Sequence, residues 1–362
     1  MKFLDDYNRL TLSEVGVLLF VLLTAFRICL LPAVLSEVAE ESAVYVLIAG
    51  FAIEAGVCLS SLWVSSMGGL GALRLPSAVK RAAGLLLAFF FFFKVVVRTY
   101  EVVEYCAGDL FEQASPLLLV VVFLLTAALL SVKGLAGVAR TGLMYLPVIA
   151  FLLVLSVFFA SFNGYGYNLW VLLRPRSVGA GVLRSALWLG DGAVLMLADT
   201  RKEGAPKRRY GWAALAFAVA LLGLLFFYLN FVYTYGSAGR YVRYAFVRML
   251  TGGDPEELGA VDWPILLVWL LSVPLHLAAT FYAGCGGLRV CFARKSLGGF
   301  VYPAVGVVVC LAAYCLLFRD KDGLDTLYAL RPLSYGLFAL LGVVPVLALA
   351  GTLAKAKERV AR

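Results

Sequence analysis

The sequence predicts an all-α integral membrane protein with ten transmembrane helices, and three observations lead to this prediction. Of the 362 residues, 63% are hydrophobic and 15% are charged, whereas soluble domains are roughly half apolar and about one quarter charged. The apolar residues form runs of about 20, the length that a helix needs to cross a bilayer. Basic residues gather in short loops between these runs rather than along one polar face, which indicates membrane topology and argues against a nucleic-acid partner.

Ten apolar runs are long enough to span the hydrocarbon core. They share a low content of charged residues and are separated by more polar loops. They cover residues 12–35, 43–66, 82–107, 115–132, 141–162, 178–198, 211–234, 263–284, 298–317 and 333–353.

The loops predict a multi-pass orientation in the cell membrane. With the N-terminus inside, 19 Lys and Arg residues fall on the inner side and eight on the outer side. Cytoplasmic loops carry the excess of basic residues, so both termini are predicted to be cytoplasmic. Basic inner loops also suit contact with anionic membrane lipid.

The ten runs divide into five and five within one permease-like domain, with repeat 1 at about 12–165 and repeat 2 at about 178–353. Five crossings are an odd number, so the second half enters the membrane from the opposite side and the halves are predicted to form an inverted repeat. In such proteins the ligand lies at mid-membrane beside discontinuous helices. We therefore expect a site beside helices 1 and 6.

Charged side chains inside the runs are expected to pair with one another. A charge that faces lipid at mid-bilayer costs at least about 2.5–3.5 kcal/mol, so these side chains should face protein or a wet cavity. Lys94, Arg98 and Glu101 share one helix face and form either a helix-packing ion network or a network that couples to a ligand. The eight residues are Arg27, Glu54, Lys94, Arg98, Glu101, Glu104, Arg184 and Asp191.

The stretch LWLGDGAVLML at residues 187–197 predicts a break in helix 6. Gly190 and Gly192 each weaken a helix by about 1 kcal/mol relative to alanine, and aspartate prefers a cap. Backbone groups that a break frees at mid-membrane need a cavity, water or ligand to satisfy them. Three roles are open to Asp191: the N-cap of the second half-helix, a contact to a cation, proton or ligand ammonium, or an ion pair with Arg184 or Arg27.

Several segments, in their order and spacing, resemble the spore germination permeases, the B subunits of GerA-type germinant receptors in the amino acid–polyamine–organocation superfamily. The segments are LTLSEVGVLLF at 10–20, LLP at Leu30–Pro32, SP at Ser115–Pro116, GLAGVART at Gly134–Thr141, LGDG at 189–192, VWLLSVPLHL at 268–277 and GL at Gly287–Leu288. The resemblance implies a LeuT-type fold and recognition of a small, amino-acid-like nutrient. It also implies partner A-type and C-type receptor subunits and a location in the spore inner membrane.

The resemblance places the candidate ligand site at two helix breaks. The family has a glycine-rich break in helix 1 where this chain reads TAFRIC, at Thr24–Cys29, and a glutamate is common at the position of Asp191. Arg27 either clasps a ligand carboxylate through its planar guanidinium or pairs with Glu54 or Asp191. The candidate ligand-binding residues are Ala25, Arg27, Gly190, Asp191 and Gly192.

His276 is the only histidine and stands where a lysine is common in the family. It either packs within an apolar helix or carries protons, since imidazole titrates near neutral pH. The candidate residues for coupling or for an ion-pair network are Glu54, Lys94, Arg98, Glu101, Arg184 and His276.

The sequence predicts no enzymatic activity, because it contains no nucleophile–base constellation and has one histidine. Its seven cysteines lie in or beside apolar runs without metal-ligand spacing, so neither a metal nor a cofactor is predicted. Two alternatives to the receptor subunit stay open: a proton-coupled amino-acid permease, and a membrane assembly scaffold that binds no ligand.

The charge bias gives a first prediction, on topology. In intact cells, a membrane-impermeant thiol reagent should label a cysteine introduced at Asp322 but not one introduced at Ala205, because the basic loops place residue 205 inside. Detergent-permeabilised cells are the control, in which both positions should react. Labelling of residue 205 alone in intact cells would contradict the predicted orientation.

Overall fold

The structure is a computed structural model, and it describes residues 9–25, 27, 31, 35, 39, 42–107, 114–160, 178–200, 206–235, 263–292, 300–318, 327 and 330–361. Ten α-helices lie within these ranges. They are α1 (Leu12–Phe20), α2 (Ala43–Ser66), α3 (Ser77–Tyr105), α4 (Pro116–Val132), α5 (Gly134–Ala160), α6 (Val178–Arg184), α7 (Pro206–Tyr235), α8 (Trp263–Phe292), α9 (Val301–Leu317) and α10 (Arg331–Ala361).

Helix α1 begins with a reciprocal cap and ends in an irregular turn. The Thr11 hydroxyl accepts a hydrogen bond from the backbone N–H of Glu14, and the Glu14 carboxylate accepts one from the N–H of Thr11 at 2.7 Å. After Phe20 the chain continues as a π-helical turn, Val21–Ala25. Turns of this type are rare in proteins, and those that occur often lie at functional sites. This turn leads into the expected break at 24–29, of which residues 26, 28 and 29 lie outside the described residues.

The helices have the lengths and hydropathy of membrane spans, and the protein is a multi-pass membrane protein. Within the described ranges, five helices are long and apolar enough to cross a bilayer on their own: α2, α3, α5, α8 and α10. A sixth span is broken, since Val178–Trp188 and Asp191–Leu197 are joined at an angle of 46°. Shorter apolar helices make up the rest, namely α4, α9, α1 with its π turn, and the described core of α7.

Five helices extend beyond the apolar runs that predicted them. Helices α3, α5 and α7 begin before their runs, and α8 and α10 end after theirs. The apolar run marks the part of a helix inside hydrocarbon, whereas backbone hydrogen bonding continues into water. All five extensions carry basic residues and lie on the side predicted to be cytoplasmic.

Helices α3 and α8 form the centre of the fold. The most apolar windows of these two helices are 72% and 78% buried, against 44% or less for α2, α5 and α10. Glycines let their backbones approach closely: a Cβ added to Gly287 would lie 2.5 Å from the carbonyl oxygen of Gly84 and 2.7 Å from the amide nitrogen of Ala88. Small residues at a helix interface permit this contact in a membrane. The contact fixes α3, which carries three of the buried charges.

The close α3–α8 contact gives a second prediction. Gly287→Ala should lower the free energy of unfolding by about 1–3 kcal/mol, because the added methyl group meets backbone atoms that cannot move aside. Gly342→Ala on α10 is the matched control, since a Cβ there meets nothing within 4 Å. That change should be neutral or stabilise by up to about 1 kcal/mol through helix propensity. Thermal unfolding in detergent, followed by circular dichroism, compares them; equal stability of the two variants would contradict the prediction.

Candidate functional site

The predicted break in helix 6 is confirmed. After α6, the chain forms a 3₁₀ turn at Ser185–Trp188, passes through Leu189 and Gly190, and resumes as a 3₁₀ segment at Asp191–Leu197. Gly190 has φ +88°, a left-handed conformation that favours glycine, and a Cβ there would lie 2.9 Å from the Phe90 ring. A Cβ at Gly192 would collide with the Cys58 sulfur of α2. Glycine at both positions therefore lets the break lie against its neighbours.

A single carboxylate binds two amides of the break. The backbone N–H of Gly190 donates to Glu54 Oε2 at 2.5 Å, and that of Gly192 donates to Glu54 Oε1 at 2.8 Å. Glu54 lies near the middle of α2, about 17 Å along the helix from either end at 1.5 Å per residue, and is 0% exposed. At this depth, an amide without a partner would cost several kcal/mol. Glu54 removes that cost for both.

Asp191 is held by cations from two other parts of the chain. Its Oδ2 accepts hydrogen bonds from Arg27 Nη2 at 2.6 Å and Arg27 Nε at 3.2 Å. Its Oδ1 accepts one from Lys94 Nζ, which also donates to the carbonyl oxygen of Leu189 at 2.8 Å. Arg27 Nη2 reaches Glu54 Oε2 at 3.4 Å. The segment after α1, helix α2 and helix α3 thus all meet at the break.

Arg98 extends this arrangement by one helical turn along α3. Its Nη2 donates to the carbonyl oxygen of Leu187 at 2.9 Å, and its Nη1 donates to Glu101 Oε2 at 2.6 Å. The Arg98 guanidinium also lies 3.4 Å from the centre of the Trp188 ring, a cation–π contact. Arg98 therefore binds a carbonyl group on the N-terminal side of the break, whereas Glu54 binds the amides of Gly190 and Gly192.

The buried charges at the break balance. Each of the six residues is at most 2% exposed, and three carry a positive and three a negative charge. Removing charges from water is costly unless they are paired and hydrogen-bonded, and here every carboxylate has a cationic partner. Together they also satisfy four backbone groups of the break. The six residues, called the break network below, are Arg27, Glu54, Lys94, Arg98, Glu101 and Asp191.

The other site residues predicted from the sequence lie elsewhere or have different surroundings. Arg184 is exposed at the end of α6 and is not part of the break network. His276 is fully buried in α8. The side chain of Ala25 lies outside the described part of the structure. The interpretation of Asp191 as an N-cap is wrong: Gly190 holds that position without a side-chain cap, and Glu54 binds the amides instead.

Sequence reasoning missed two features of the site. The first is Trp188, whose ring covers Arg98. The second is that carbonyl oxygens of Leu187 and Leu189 act as acceptors for cations of α3. The proximity of Trp188 to the Gly-Asp-Gly break was the available signal for the first feature. The second follows only from how α3 packs against the break.

The break is closed in this conformation. The space beside Arg27, between Phe51 and Trp188, holds about one water molecule. An amino-acid-sized ligand therefore has no room there until side chains move.

A larger cavity lies at the other end of the second half-helix. It measures about 400 Å³ and is lined by the turn after α2 (68–72), by Leu197 and Asp199, and by Tyr282 and Arg289 of α8. Asp191 and Leu197 are about 12 Å apart along the 3₁₀ segment at roughly 2 Å per residue. The cavity thus lies about one half-helix from the break network, on the side predicted to be cytoplasmic.

Comparisons with known proteins identify the fold. The chain has no match among protein-family models and no significant match among curated proteins. Solved transporter structures match nearly all of it. MhsT in complex with L-phenylalanine has 12% identity and a TM-score of 0.59, over 95% of this chain and 98% of that one.

Two further solved structures each match 93% of this chain. Mhp1, a nucleobase-cation-symport-1 family transporter in a closed conformation with bromovinylhydantoin bound, has 15% identity and a TM-score of 0.57 over 78% of its length. The Eremococcus coleocola manganese transporter, in complex with an aromatic bis-isothiourea substituted compound, has 12% identity and a TM-score of 0.56 over 76% of its length.

The predicted fold class is therefore confirmed: the chain is an all-α membrane protein with the LeuT-type fold. This is the fold that the resemblance of the sequence segments implied. At these identities the matches show the fold alone. In transporters built from inverted repeats, ligands lie at mid-membrane beside broken helices.

The break network gives a third prediction. Arg27→Met should lower the free energy of unfolding by about 3–5 kcal/mol, because it leaves a buried carboxylate without its cation. The double variant Arg27→Met/Asp191→Asn should recover much of that loss, since the remaining Lys94 and Glu54 balance. Unfolding by SDS titration in mixed micelles measures both.

Arg184→Met is the control for this prediction. Arg184 is exposed at the end of α6 and lies outside the break network, so its replacement should change the free energy of unfolding by no more than about 0.5 kcal/mol. If Arg27→Met proves as stable as the parent, Arg27 does not hold the network together.

Proposed function

We propose that this protein is the membrane subunit of a spore germinant receptor. It recognises a small, amino-acid-like nutrient at a mid-membrane site beside the broken helices 1 and 6, and it relays this event to A-type and C-type partner subunits. The resemblance of the sequence segments to spore germination permeases supports the receptor assignment, and the LeuT-type fold supports a mid-membrane ligand site.

One observation supports recognition coupled to a relay. The break is held by side chains from three other parts of the chain: Arg27, Glu54 of α2, and Lys94 and Arg98 of α3. A zwitterionic nutrient carries a carboxylate and an ammonium, the same groups that bind the break. When such a nutrient enters, it has to displace one or more of these side chains. The displacement loosens the contact of α2 or α3 with the break. A change in helix packing is a signal that a partner subunit can detect.

A proton-coupled amino-acid permease is the second candidate, and the cavity of about 400 Å³ favours it. Carriers that alternate access need an aqueous space on each side in turn, and the cavity is large enough for an amino acid. The closed break network favours the third alternative, a scaffold that binds no ligand. The three functions differ in ligand binding, uptake and signalling, so one set of variants can separate them.

Asp191 is the residue whose change tests the proposal. In spores that carry the variant gene, Asp191→Asn should abolish germination in response to amino acids, because the break loses the charge that receives a ligand ammonium. Asp191→Asn/Lys94→Met restores the charge balance of the break network and should restore stability but not the response. Germination is followed by the fall in optical density, and stability by thermal unfolding of the purified protein.

Glu14→Gln is the matched control, because it removes a carboxylate that pairs with Arg140 outside the break network. Its spores should germinate like the parent. Normal germination of Asp191→Asn spores at normal expression would contradict the receptor site. Uptake of labelled amino acids into vesicles by the parent protein would favour the permease instead, and absence of both ligand-induced stabilisation and uptake would favour the scaffold.

A further inference from the structure

Glu54 is bound in a way that distinguishes it from a partner in a simple ion pair. Its two shortest contacts are to backbone amides, at 2.5 Å and 2.8 Å, while its contact to Arg27 is 3.4 Å long. Each carboxylate oxygen receives one amide. The two donors flank Asp191, so the carboxylate lies across the break with both oxygens used.

Lys94 has the complementary arrangement. Its ammonium donates to the carbonyl oxygen of Leu189, adjacent to Gly190, and to the carboxylate of Asp191. Within three consecutive peptide units, the break thus binds a carboxylate through amides and an ammonium through a carbonyl oxygen and an acid. Both groups belong to the protein and both are at most 1% exposed.

We infer that the Glu54 side chain is an internal ligand. It occupies a carboxylate-binding site made by the amides of Gly190 and Gly192 and completed by the Arg27 guanidinium. The chemical class that fits this site is a small carboxylate, including the carboxylate end of an amino acid. Glu54 is then a specificity-determining residue, because any such ligand has to compete with a carboxylate that is already tethered to α2.

The inference goes beyond the proposed function and does not depend on it. The carboxylate site exists whether the protein is a receptor, a permease or a scaffold. Loss of the germination response in a variant therefore says nothing about it, and its own test needs neither spores nor uptake.

Chemical complementation tests the site directly. Glu54→Ala keeps Cβ and deletes one methylene and the carboxylate, which is the composition of acetate. Sodium acetate should raise the melting temperature of purified Glu54→Ala by about 2–4 °C relative to sodium chloride at the same ionic strength, because it binds only the folded protein. Butyrate, which is too long for the space that the deletion leaves, should give no rise above chloride.

Three comparisons separate binding from a general salt effect. The parent and Glu54→Gln should respond equally to acetate and chloride, because a side chain of the original size still fills the site. Glu54→Ala/Arg27→Met deletes a buried acid and a buried base together, so it leaves no excess positive charge for acetate to neutralise. Acetate should still stabilise this double variant, although less than Glu54→Ala, because the two amides remain.

The outcomes decide the inference. An acetate-specific rise in Glu54→Ala and in the double variant supports a site made by the amides. A rise in Glu54→Ala alone would mean charge compensation and would overturn it, as would equal responses to acetate and chloride. If Glu54→Ala cannot be purified, the charge-balanced double variant decides alone: it supports the site if acetate stabilises it and overturns the site if it does not.

Discussion

The structure depends on how the broken backbone of helix 6 is satisfied in a medium that offers no water. The amides of Gly190 and Gly192 and the carbonyl oxygens of Leu187 and Leu189 lie at the break, and each would cost several kcal/mol in hydrocarbon without a partner. Glu54 binds two amides, and Lys94 and Arg98 bind two carbonyl oxygens. These charged groups can be buried only because Arg27, Asp191 and Glu101 balance them. The break therefore constrains the buried charges, and through them it constrains the positions of the three other parts of the chain that carry them.

The helix packing meets this constraint through small residues and a rigid centre. Close contact of α3 and α8 at Gly84 and Gly287 fixes the helix that carries Lys94, Arg98 and Glu101. Gly192 lets the break lie against Cys58 of α2, one helical turn from Glu54. Without these close contacts the hydrogen bonds between the helices would lengthen, and a buried charge would lose its partner.

The site also relates the protein to the transporters that share its fold. In such folds, the ends of discontinuous helices bind the charged groups of substrates and ions. In this protein the corresponding backbone groups bind its own carboxylate and ammonium groups, and there is room beside them for about one water molecule. Ligand binding at the break, as proposed above, would therefore require an exchange of partners. An exchange of this kind would change the contacts between helices, which is what the proposed receptor role needs.

The sequence by itself determined the ten apolar runs, the break at Gly190–Gly192, the need for buried charges to pair and the local pair of Arg98 with Glu101. These features follow from residue composition and from spacing within one helix, and neither depends on the rest of the chain. Only the tertiary structure decided which distant charges meet. Glu54 and Asp191 lie on different helices, and the rotation and depth of each helix bring Glu54 to the amides, Lys94 to Asp191 and leave Arg184 exposed. Hydropathy records that a segment is buried but not which side of it faces a given neighbour, so partner choice depends on packing.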